Sequence, residues 1–248
     1  MPKFFLAKEA IRDDAVFLDG EDAHHITKAL RMRAGELIEV TTGEGTSFKV
    51  KLTRTCPQLV EGEIISREQD RSEPAIKLHL FQSILKGEKM DWVLQKGTEI
   101  GVCSFHPFIS ERTVVRKDAA SYEKKQARWE RIVLEAAKQS RRGRVPSVEP
   151  VMEAEELISA LQEVTALVAW EAEEKTSLKQ CLEKIGKTEE IAVLIGPEGG
   201  FSTAEIAQFI TWGVKPVSLG PRILRAETAG PTLAALLLYH FGEMEPAL

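Results

Sequence analysis

No stretch of the 248-residue sequence is long and apolar enough to cross a membrane. The longest apolar run, Leu233–Tyr239, is far short of the roughly 20 residues that a spanning helix needs. The opening residues, MPKFFLAKEAIRDD, also lack the apolar core of about 7–15 residues found in secretory signals. We therefore expect a cytoplasmic protein that has no membrane partner.

Cysteine is scarce, and the three cysteines form no pair along the sequence. Cys56, Cys103 and Cys181 are far apart and make no C-x-x-C pattern, so reduced, buried thiols are expected. The sequence also contains neither a Ser-His-Asp set nor residues at metal-ligand spacing. A covalent or metal-dependent mechanism therefore has no support, and we expect no metal site.

Neither of the common glycine-rich nucleotide signatures is present. The chain has no G-x-G-x-x-G and no G-x-x-x-x-G-K-[ST], and the missing Walker lysine disfavours a nucleotide-binding domain. Instead, IAVLIGPEGGFS at Ile191–Ser202 runs from an apolar strand through Gly-Pro-Glu-Gly-Gly into a helical pattern. Such a junction indicates either close approach of the backbone to a ligand or a tight turn.

Charge is unevenly distributed, although the formal net charge is only −5. Residues 112–144 contain 11 Lys/Arg against 4 Asp/Glu, whereas residues 149–190 contain 4 against 11. A focused basic patch can bind phosphates whatever the net charge. Charge alone leaves a phosphate-binding patch and a pair of solvated helix faces equally open.

The N-terminal residues, 1 to about 70, have mainly the pattern of β-structure. A helix is predicted at Asp22–Met32, and strands are predicted at Ala15–Leu18, Glu36–Thr41, Ser47–Thr55 and Leu59–Ser66. These runs indicate a small barrel or sheet. The polar segment Arg67–Pro74 has no periodicity and ends in proline, so it marks a predicted boundary between domains at 1–72 and 73–248.

After Pro74, strands alternate with helices in the order typical of an α/β fold. The predicted strands are Ile76–Gln82, Val102–Ile109, Ala166–Trp170, Ile191–Ile195 and Val214–Leu219. The predicted helices are Met90–Ile100, Tyr122–Ser140, Ala154–Glu163, Leu178–Ile185, one that the capping box Ser202–Glu205 begins and Gly213 ends, and Pro231–Phe241. Continuous apolar strands between helices indicate a parallel sheet covered on both faces.

Two Gly-Pro loops follow strands in this part of the chain. Gly196–Gly200 follows Ile195, and Gly220–Arg222 follows Leu219. Ligands of open α/β sheets bind outside the carboxyl ends of the strands. Together with the charged and hydroxyl-bearing residues Arg225–Thr228, the two loops favour a ligand site over two unrelated turns. A flat polar ligand such as adenine with its ribose suits such loops.

The residues around these loops resemble a known family. LIGPEGGFS (194–202) and SLGPRILRAET (218–228) are similar to the S-adenosylmethionine site of the SPOUT methyltransferases. Further segments resemble signatures of the RsmE family, which methylates N3 of a uridine in small-subunit ribosomal RNA: HHITKALRMRAGE (24–36), LKGEKMDWVLQKGTEIGV (85–102), ISERTVV (109–115) and RWERIVLEAAKQS (128–140). The resemblance covers the whole chain in the family's order.

The resemblance implies a fold and partners that periodicity cannot predict. A PUA-like β-barrel that binds RNA is expected at 1–72, and a trefoil-knotted SPOUT α/β domain, which is rare among proteins, is expected at 73–248. S-adenosylmethionine is the implied cofactor, and small-subunit (16S) ribosomal RNA or the assembled subunit is the implied partner. A homodimer is also implied; the apolar Leu233–Phe241 helix suits a subunit interface or plain core.

The resemblance also assigns cofactor residues one by one. Main-chain contacts from Leu194–Gly200 and Leu219–Leu224 would surround the cofactor, and Ala169-Trp170-Glu171 would form a further wall. Glu198 would bond a ribose hydroxyl or cap the amides of its own loop, and both roles stay open. The expected cofactor-binding residues are Leu194, Ile195, Gly196, Pro197, Glu198, Gly199, Gly200, Leu219, Gly220, Ile223, Leu224 and Thr228.

Methylation of N3 of a uridine requires loss of its weakly acidic proton. That loss places negative charge on the flanking carbonyl oxygens, so a nearby arginine would stabilise the transition state. Arg225 is the first candidate for this role and Arg112 the second, while Glu227 would act as the base or orient Arg225. A purely structural ion pair between Arg225 and Glu227 is the alternative.

Basic side chains supply the expected contacts to RNA, with an affinity that falls as salt rises. His79 and His106 lie in strand patterns and are expected in the core or at a subunit contact. The residues expected to bind RNA are His25, Lys28, Arg31, Arg33, Lys86, Arg141 and Arg142.

The sequence departs from the family's pattern in two places. Arg141–Arg144 reads Arg-Arg-Gly-Arg where Gly-Arg usually follows Gln-Ser, so the arginine that occupies the family's position stays open. Gly230-Pro231 replaces a run of small residues. This change is expected to alter the start of the final helix and to leave the cofactor residues in place.

Two other functions remain open at this point. Another SPOUT activity, such as ribose 2′-O-methylation, would use the same cofactor site. A non-catalytic RNA-binding factor in ribosome assembly would keep the fold without the reaction.

Overall fold

The structure is a computed structural model that describes residues 1–114, 119–162 and 164–245. The chain forms two compact units, Met1–Glu73 with Ala137–Val145, and Pro74–Ala136 with Pro146–Leu248. The sequence gives no sign that Ala137–Val145 groups with the N-terminal residues. Among the described residues, no helix combines the length and apolarity that crossing a membrane requires.

The N-terminal unit is built on one six-stranded sheet in the order β1-β4-β5-β6-β3-β2. Its strands are β1 (Lys3–Phe5), β2 (Ile11–Arg12), β3 (Ala15–Asp19), β4 (Leu37–Thr41), β5 (Thr46–Thr55) and β6 (Leu59–Gln69). β1 runs parallel to β4, and the other neighbours are antiparallel. Alternate apolar residues of these strands form the core, including Val16, Leu18, Ile38, Val40, Val50, Leu52 and Val60.

Two predictions for this unit are wrong in their bounds. The helix predicted at Asp22–Met32 is a short α-helix, α1 (Gly20–His24), followed by a π-helical turn at His25–Ala29. Arg31 then adopts a φ of +53°, a left-handed conformation that a right-handed helix cannot contain. The strand predicted at Leu59–Ser66 runs on to Gln69, because the backbone of residues 67–69 pairs with the start of β5.

Asp70 connects the end of β6 to the segment Ala137–Val145. Gly143 lies so close that a Cβ there would come within 2.1 Å of Asp70 Cγ. Burial alone would raise the pKa of the Asp70 carboxyl, but hydrogen bonds from Lys3, Ser47 and Ser72 outweigh burial and lower it to about 2. Only glycine therefore fits at position 143 beside this buried carboxylate.

The C-terminal unit contains a seven-stranded sheet in which β10-β8-β7-β12-β11-β13 are neighbours and β9 pairs with β8. Every pairing is parallel, which confirms the predicted parallel α/β fold. The strands are β7 (Lys77–Ser83), β8 (Ser104–Ile109), β9 (Ser147–Val148), β10 (Met152–Glu153), β11 (Thr165–Ala169), β12 (Glu190–Ile195) and β13 (Lys215–Val217). The helices are α2 (Lys89–Ile100), α3 (Ala119–Gln139), α4 (Leu157–Leu161), α5 (Leu178–Ile185), α6 (Thr203–Thr211) and α7 (Ala226–His240).

Both faces of this sheet are covered, as the continuous apolar strands predict. On one face α7 packs against α2, β7 and β12. On the other face Phe81, Leu194, Phe201 and Phe209 belong to one apolar core. The predicted capping box of α6 is confirmed, because the Ser202 hydroxyl accepts from the N–H of Glu205 and the Glu205 carboxylate accepts from the N–H of Ser202.

The prediction that the last helix starts at Pro231 is wrong, because α7 begins at Ala226 and contains Pro231. Gly230 and Pro231 are buried, and a Cβ at Gly230 would lie 3.5 Å from the side chain of Leu80. Packing on β7 thus overrides the weak local helix propensity of Gly-Pro. The chain passes from the edge strand β13 to α7, which packs on the central strands β7 and β12. The trefoil knot stays a prediction.

His79 and His106 form a hydrogen-bonded chain through a buried hydroxyl on β8. The Ser104 hydroxyl lies 2.7 Å from His79 Nδ1 and 2.7 Å from His106 Nε2. His106 also stacks on Phe81, with ring centroids 4.2 Å apart. Burial lowers the pKa of both imidazoles, that of His106 to about 4.

His106→Gln is expected to reduce the acid sensitivity of folding. The folded-state pKa of about 4 lies below the unfolded value of 6.5, so the unfolded chain takes up the proton first. Stability from this residue is therefore complete above the unfolded pKa and falls by about 3 kcal/mol as the pH drops to about 4. Urea denaturation near neutral pH and near pH ~4 measures the fall; an equal fall in variant and wild type would contradict the assignment.

Candidate active site

A pocket of about 880 Å³ opens at the carboxyl ends of β11, β12 and β13. Its volume lies within the roughly 300–1,000 Å³ of small-molecule sites, and its position is the usual one for ligands of parallel sheets. The lining residues are Lys89, Ala169, Trp170, Glu171, Glu173, Glu174, residues 195–201, residues 218–227 and Ala229.

The structure brings the two Gly-Pro loops together in this pocket. The loop after β12 and the loop after β13 line it, and Ala169, Trp170 and Glu171 form a further part of the wall. Leu194 and Thr228 lie outside the lining, and the Leu194 side chain is fully buried in the core. All other predicted cofactor residues line the pocket.

The loop after β12 is a tight turn closed by glycine. The N–H of Gly200 donates to the carbonyl of Pro197 at 3.0 Å, and Gly200 has a φ of +65°, a conformation that favours glycine. A Cβ at Gly200 would also lie 2.3 Å from Glu171 Oε1. The glycine therefore lets two walls of the pocket approach each other closely.

Glu198 anchors the same loop to the start of α2. Its Oε1 accepts from the N–H of Lys86 at 3.1 Å and from Lys89 Nζ at 3.0 Å. Partial burial would raise the pKa of Glu198, but its own N–H, the N–H of Lys86 and the Lys89 ammonium outweigh burial and lower it. Lys86 and Lys89 lie outside this loop, and both roles that the sequence leaves open for Glu198 stay predictions.

Arg112 lies against this loop but does not line the pocket. Its Nη1 donates to the carbonyl of Gly199 at 3.0 Å. The neighbouring Glu111 accepts from the Ser202 hydroxyl at 2.5 Å, and its N–H donates to Glu205 at 2.8 Å. The guanidinium of Arg112 thus contacts the loop from outside the pocket lining, and its catalytic role stays a prediction.

Arg225 and Glu227 lie at the start of α7 and both line the pocket. The alternative of an ion pair between them is not observed. Glu227 Oε2 lies instead 3.7 Å from Lys89 Nζ, and this oxygen is buried without a hydrogen-bond partner. Arg225 is exposed. Sequence reasoning missed Lys89, because no spacing rule joins positions so far apart along the chain.

The residues expected to bind RNA differ in exposure. In the N-terminal unit His25, Lys28, Arg31 and Arg33 are exposed, as Lys86 is in the other unit. Arg141 and Arg144 are also exposed.

Arg142 is the exception among these basic residues. It is only 3% exposed, and its guanidinium pairs with the Glu73 carboxylate at 2.6 Å. The prediction that Arg142 contacts RNA is therefore corrected, because its charge is buried inside the N-terminal unit.

Arg142→Met is expected to lower the free energy of unfolding by about 3 kcal/mol, because it removes the buried guanidinium that pairs with the half-buried Glu73 carboxylate. Arg141→Met, at the exposed neighbouring position, is the matched control and should change stability little. Urea denaturation of the two variants measures the difference. Equal, small effects would show that the ion pair does not stabilise the fold.

Comparison with known proteins identifies the class first. Residues 71–238 match the family described as RNA methyltransferase domain, and residues 18–65 match the RNA methyltransferase PUA domain. These matches define an RNA methyltransferase with a PUA domain. The chain is 33% identical to ribosomal RNA small subunit methyltransferase E of Bacillus subtilis, over 92% of this chain and 93% of that protein.

Solved structures agree with this match. The crystal structure of ribosomal RNA small subunit methyltransferase E from Neisseria gonorrhoeae bound to S-adenosylmethionine is 32% identical, with a TM-score of 0.82 over 97% of this chain and 98% of that chain. A methyltransferase from Legionella pneumophila in complex with the same cofactor is 31% identical, with a TM-score of 0.79 over 96% and 97%. The chain therefore belongs to the ribosomal RNA small subunit methyltransferase E family.

Proposed function

We propose that this protein transfers a methyl group from S-adenosylmethionine to N3 of a specific uridine in small-subunit (16S) ribosomal RNA, in the cytoplasm. The observation that carries the proposal is the pocket in which two Gly-Pro loops meet Arg225 and Glu227. The chain also belongs to a family whose relatives are named ribosomal RNA methyltransferases, one of them crystallised with this cofactor.

The residues of the pocket fit S-adenosylmethionine. Ile195 and Leu224 offer apolar surface beside main-chain amides and carbonyls, which suits an adenine ring with its ribose. Gly200, with no side chain, leaves backbone and the Glu171 carboxylate exposed to the same space. When bound, the cofactor supplies an electrophilic methyl group carried by a positively charged sulfur.

Arg225 and Glu227 are the groups proposed to act on the uridine. Glu227, which lines the pocket, takes the proton from N3. The exposed Arg225 guanidinium then stabilises the negative charge that develops on the flanking carbonyl oxygens. The uridine must leave its stack to reach the pocket. RNA is therefore proposed to approach from the side on which Arg225 is exposed.

RNA and a second copy of this chain are the proposed partners. The exposed basic residues His25, Lys28, Arg31, Arg33, Lys86 and Arg141 would contact phosphates. Trp92 on α2 is 42% exposed, and Leu236 and Tyr239 on α7 are 44% and 71% exposed. Large apolar side chains exposed on two packed helices favour a homodimer interface.

The test is methylation of small ribosomal subunits from cells that lack this protein. Purified protein and S-adenosylmethionine carrying a labelled methyl group are added, and the RNA is digested to nucleosides. Label in 3-methyluridine is the expected result, and naked 16S RNA in parallel identifies the preferred substrate. Label on ribose would overturn the N3 assignment. If calorimetry with S-adenosylmethionine detects no binding, the protein is a non-catalytic RNA-binding factor.

A further inference from the structure

Lys89 lies between two acidic side chains of the pocket, and the reaction proposed above gives it no role. Its Nζ lies 3.0 Å from Glu198 Oε1 and 3.7 Å from Glu227 Oε2. Glu198 belongs to the loop after β12, and Glu227 belongs to the first turn of α7. One ammonium thus joins the cofactor loop to the proposed base.

The two carboxylates depend on this ammonium to different degrees. Glu198 also accepts hydrogen bonds from main-chain N–H groups, including that of Lys86 at 3.1 Å. Glu227 Oε2 is buried and has no hydrogen-bond partner, and the ion pair that Glu227 makes among the described residues is with Lys89. Because a buried charge without a countercharge is costly, loss of Lys89 should affect Glu227 most.

Lys89 is also unfavourable where it stands in its own helix. It is the first residue of α2, a position where the positive end of the helix dipole favours acidic side chains and disfavours lysine. A residue that breaks a local rule of this kind is expected at a functional site. The carboxylates of Glu198 and Glu227 offset this unfavourable position, because they supply the negative charge that stabilises the lysine.

We infer that Lys89 is a positioning residue for Glu227. Glu198 fixes the ammonium of Lys89, and the ammonium holds the Glu227 carboxylate in the orientation from which it accepts the N3 proton. This inference rests on the proposed function. It predicts that Lys89 acts on methyl transfer through Glu227 rather than through the cofactor loop.

Lys89→Met is expected to lower kcat by roughly 10-fold or more at saturating cofactor and RNA, with a much smaller change in the calorimetric Kd for S-adenosylmethionine. Lys89→Arg should recover most of the rate, because it restores the charge. Lys96→Met is the matched control, since Lys96 lies on the same helix, pairs with Glu99 at 2.8 Å and does not line the pocket.

A double-mutant cycle decides whether Lys89 acts through Glu227. In the Glu227→Gln background, Lys89→Met should have little further effect on kcat, whereas in the Glu198→Gln background it should still lower kcat. The same cycle in urea denaturation needs no activity: Lys89→Met should lower the midpoint less once Glu227 is glutamine.

Each other outcome overturns a different statement. Losses in kcat and midpoint that are equal in the wild-type and Glu227→Gln backgrounds would overturn the inference, as would a fall in cofactor affinity as large as the fall in kcat. Wild-type protein that binds S-adenosylmethionine but methylates no uridine N3 would overturn the proposed function, and with it the role of Lys89.

Discussion

Arg225→Ala is expected to lower the rate of methyl transfer by roughly 100-fold or more while the Kd for S-adenosylmethionine stays nearly unchanged. The exposed guanidinium is proposed to meet the charge that develops on the uridine, and the cofactor loops keep their shape because the Arg225 carbonyl, which accepts the first bonds of α7, is retained. Single-turnover methylation and calorimetry measure the two quantities separately.

Arg222→Ala is the matched control for this prediction. Arg222 is also exposed and lines the pocket on the same loop, so it tests whether any positive charge there is sufficient. The control should keep most of the activity. If Arg225→Ala loses cofactor affinity and methyl transfer to the same extent, the side chain shapes the site and does not act on the reaction.

Gly200→Ala is expected to weaken cofactor binding by roughly 10-fold or more. A side chain at a φ of +65° is strained by about 1–3 kcal/mol, so the loop of the free variant is expected to relax to another conformation. Binding must then restore the present conformation, and a cost of ~1.4 kcal/mol corresponds to a tenfold change in Kd. The added Cβ also displaces the Glu171 carboxylate from the pocket wall. Calorimetry with S-adenosylmethionine measures the loss.

Gly213→Ala controls for backbone strain alone. Gly213 has a φ of +86°, and no atom lies within 4 Å of the position that its Cβ would take. It follows α6 and is not part of the pocket. This variant should lose stability without losing cofactor affinity; if both variants lose affinity equally, general destabilisation and not the loop is the cause.

The part of the site carried by local sequence could be predicted. Glycine and proline directly after an apolar strand place a loop at the carboxyl end of the sheet, and two such loops meet because parallel strands end on the same edge. The structure places the loop residues Gly196–Gly200 and Gly220–Arg222 in one pocket accordingly. The capping box at Ser202 is equally local, since its hydrogen bonds span three residues.

What escaped prediction depends on contacts between distant residues. The partner of Glu227 is Lys89, and no periodicity relates the two. Arg142 reads as a surface arginine in a basic run, but the Glu73 carboxylate and the surrounding residues bury it. The start of α7 was misjudged because Gly230-Pro231 ends most helices, whereas packing against β7 stabilises this one.

The contact between Gly143 and Asp70 has a consequence for biosynthesis. Asp70, its partners Lys3 and Ser47, and Glu73 are all translated before Arg142 and Gly143. Until then, the cleft that accepts Ala137–Val145 holds carboxylates without all of their native partners. The N-terminal unit therefore reaches its final structure only after more than half of the chain has been made, and a fragment ending at Glu73 lacks residues that complete it.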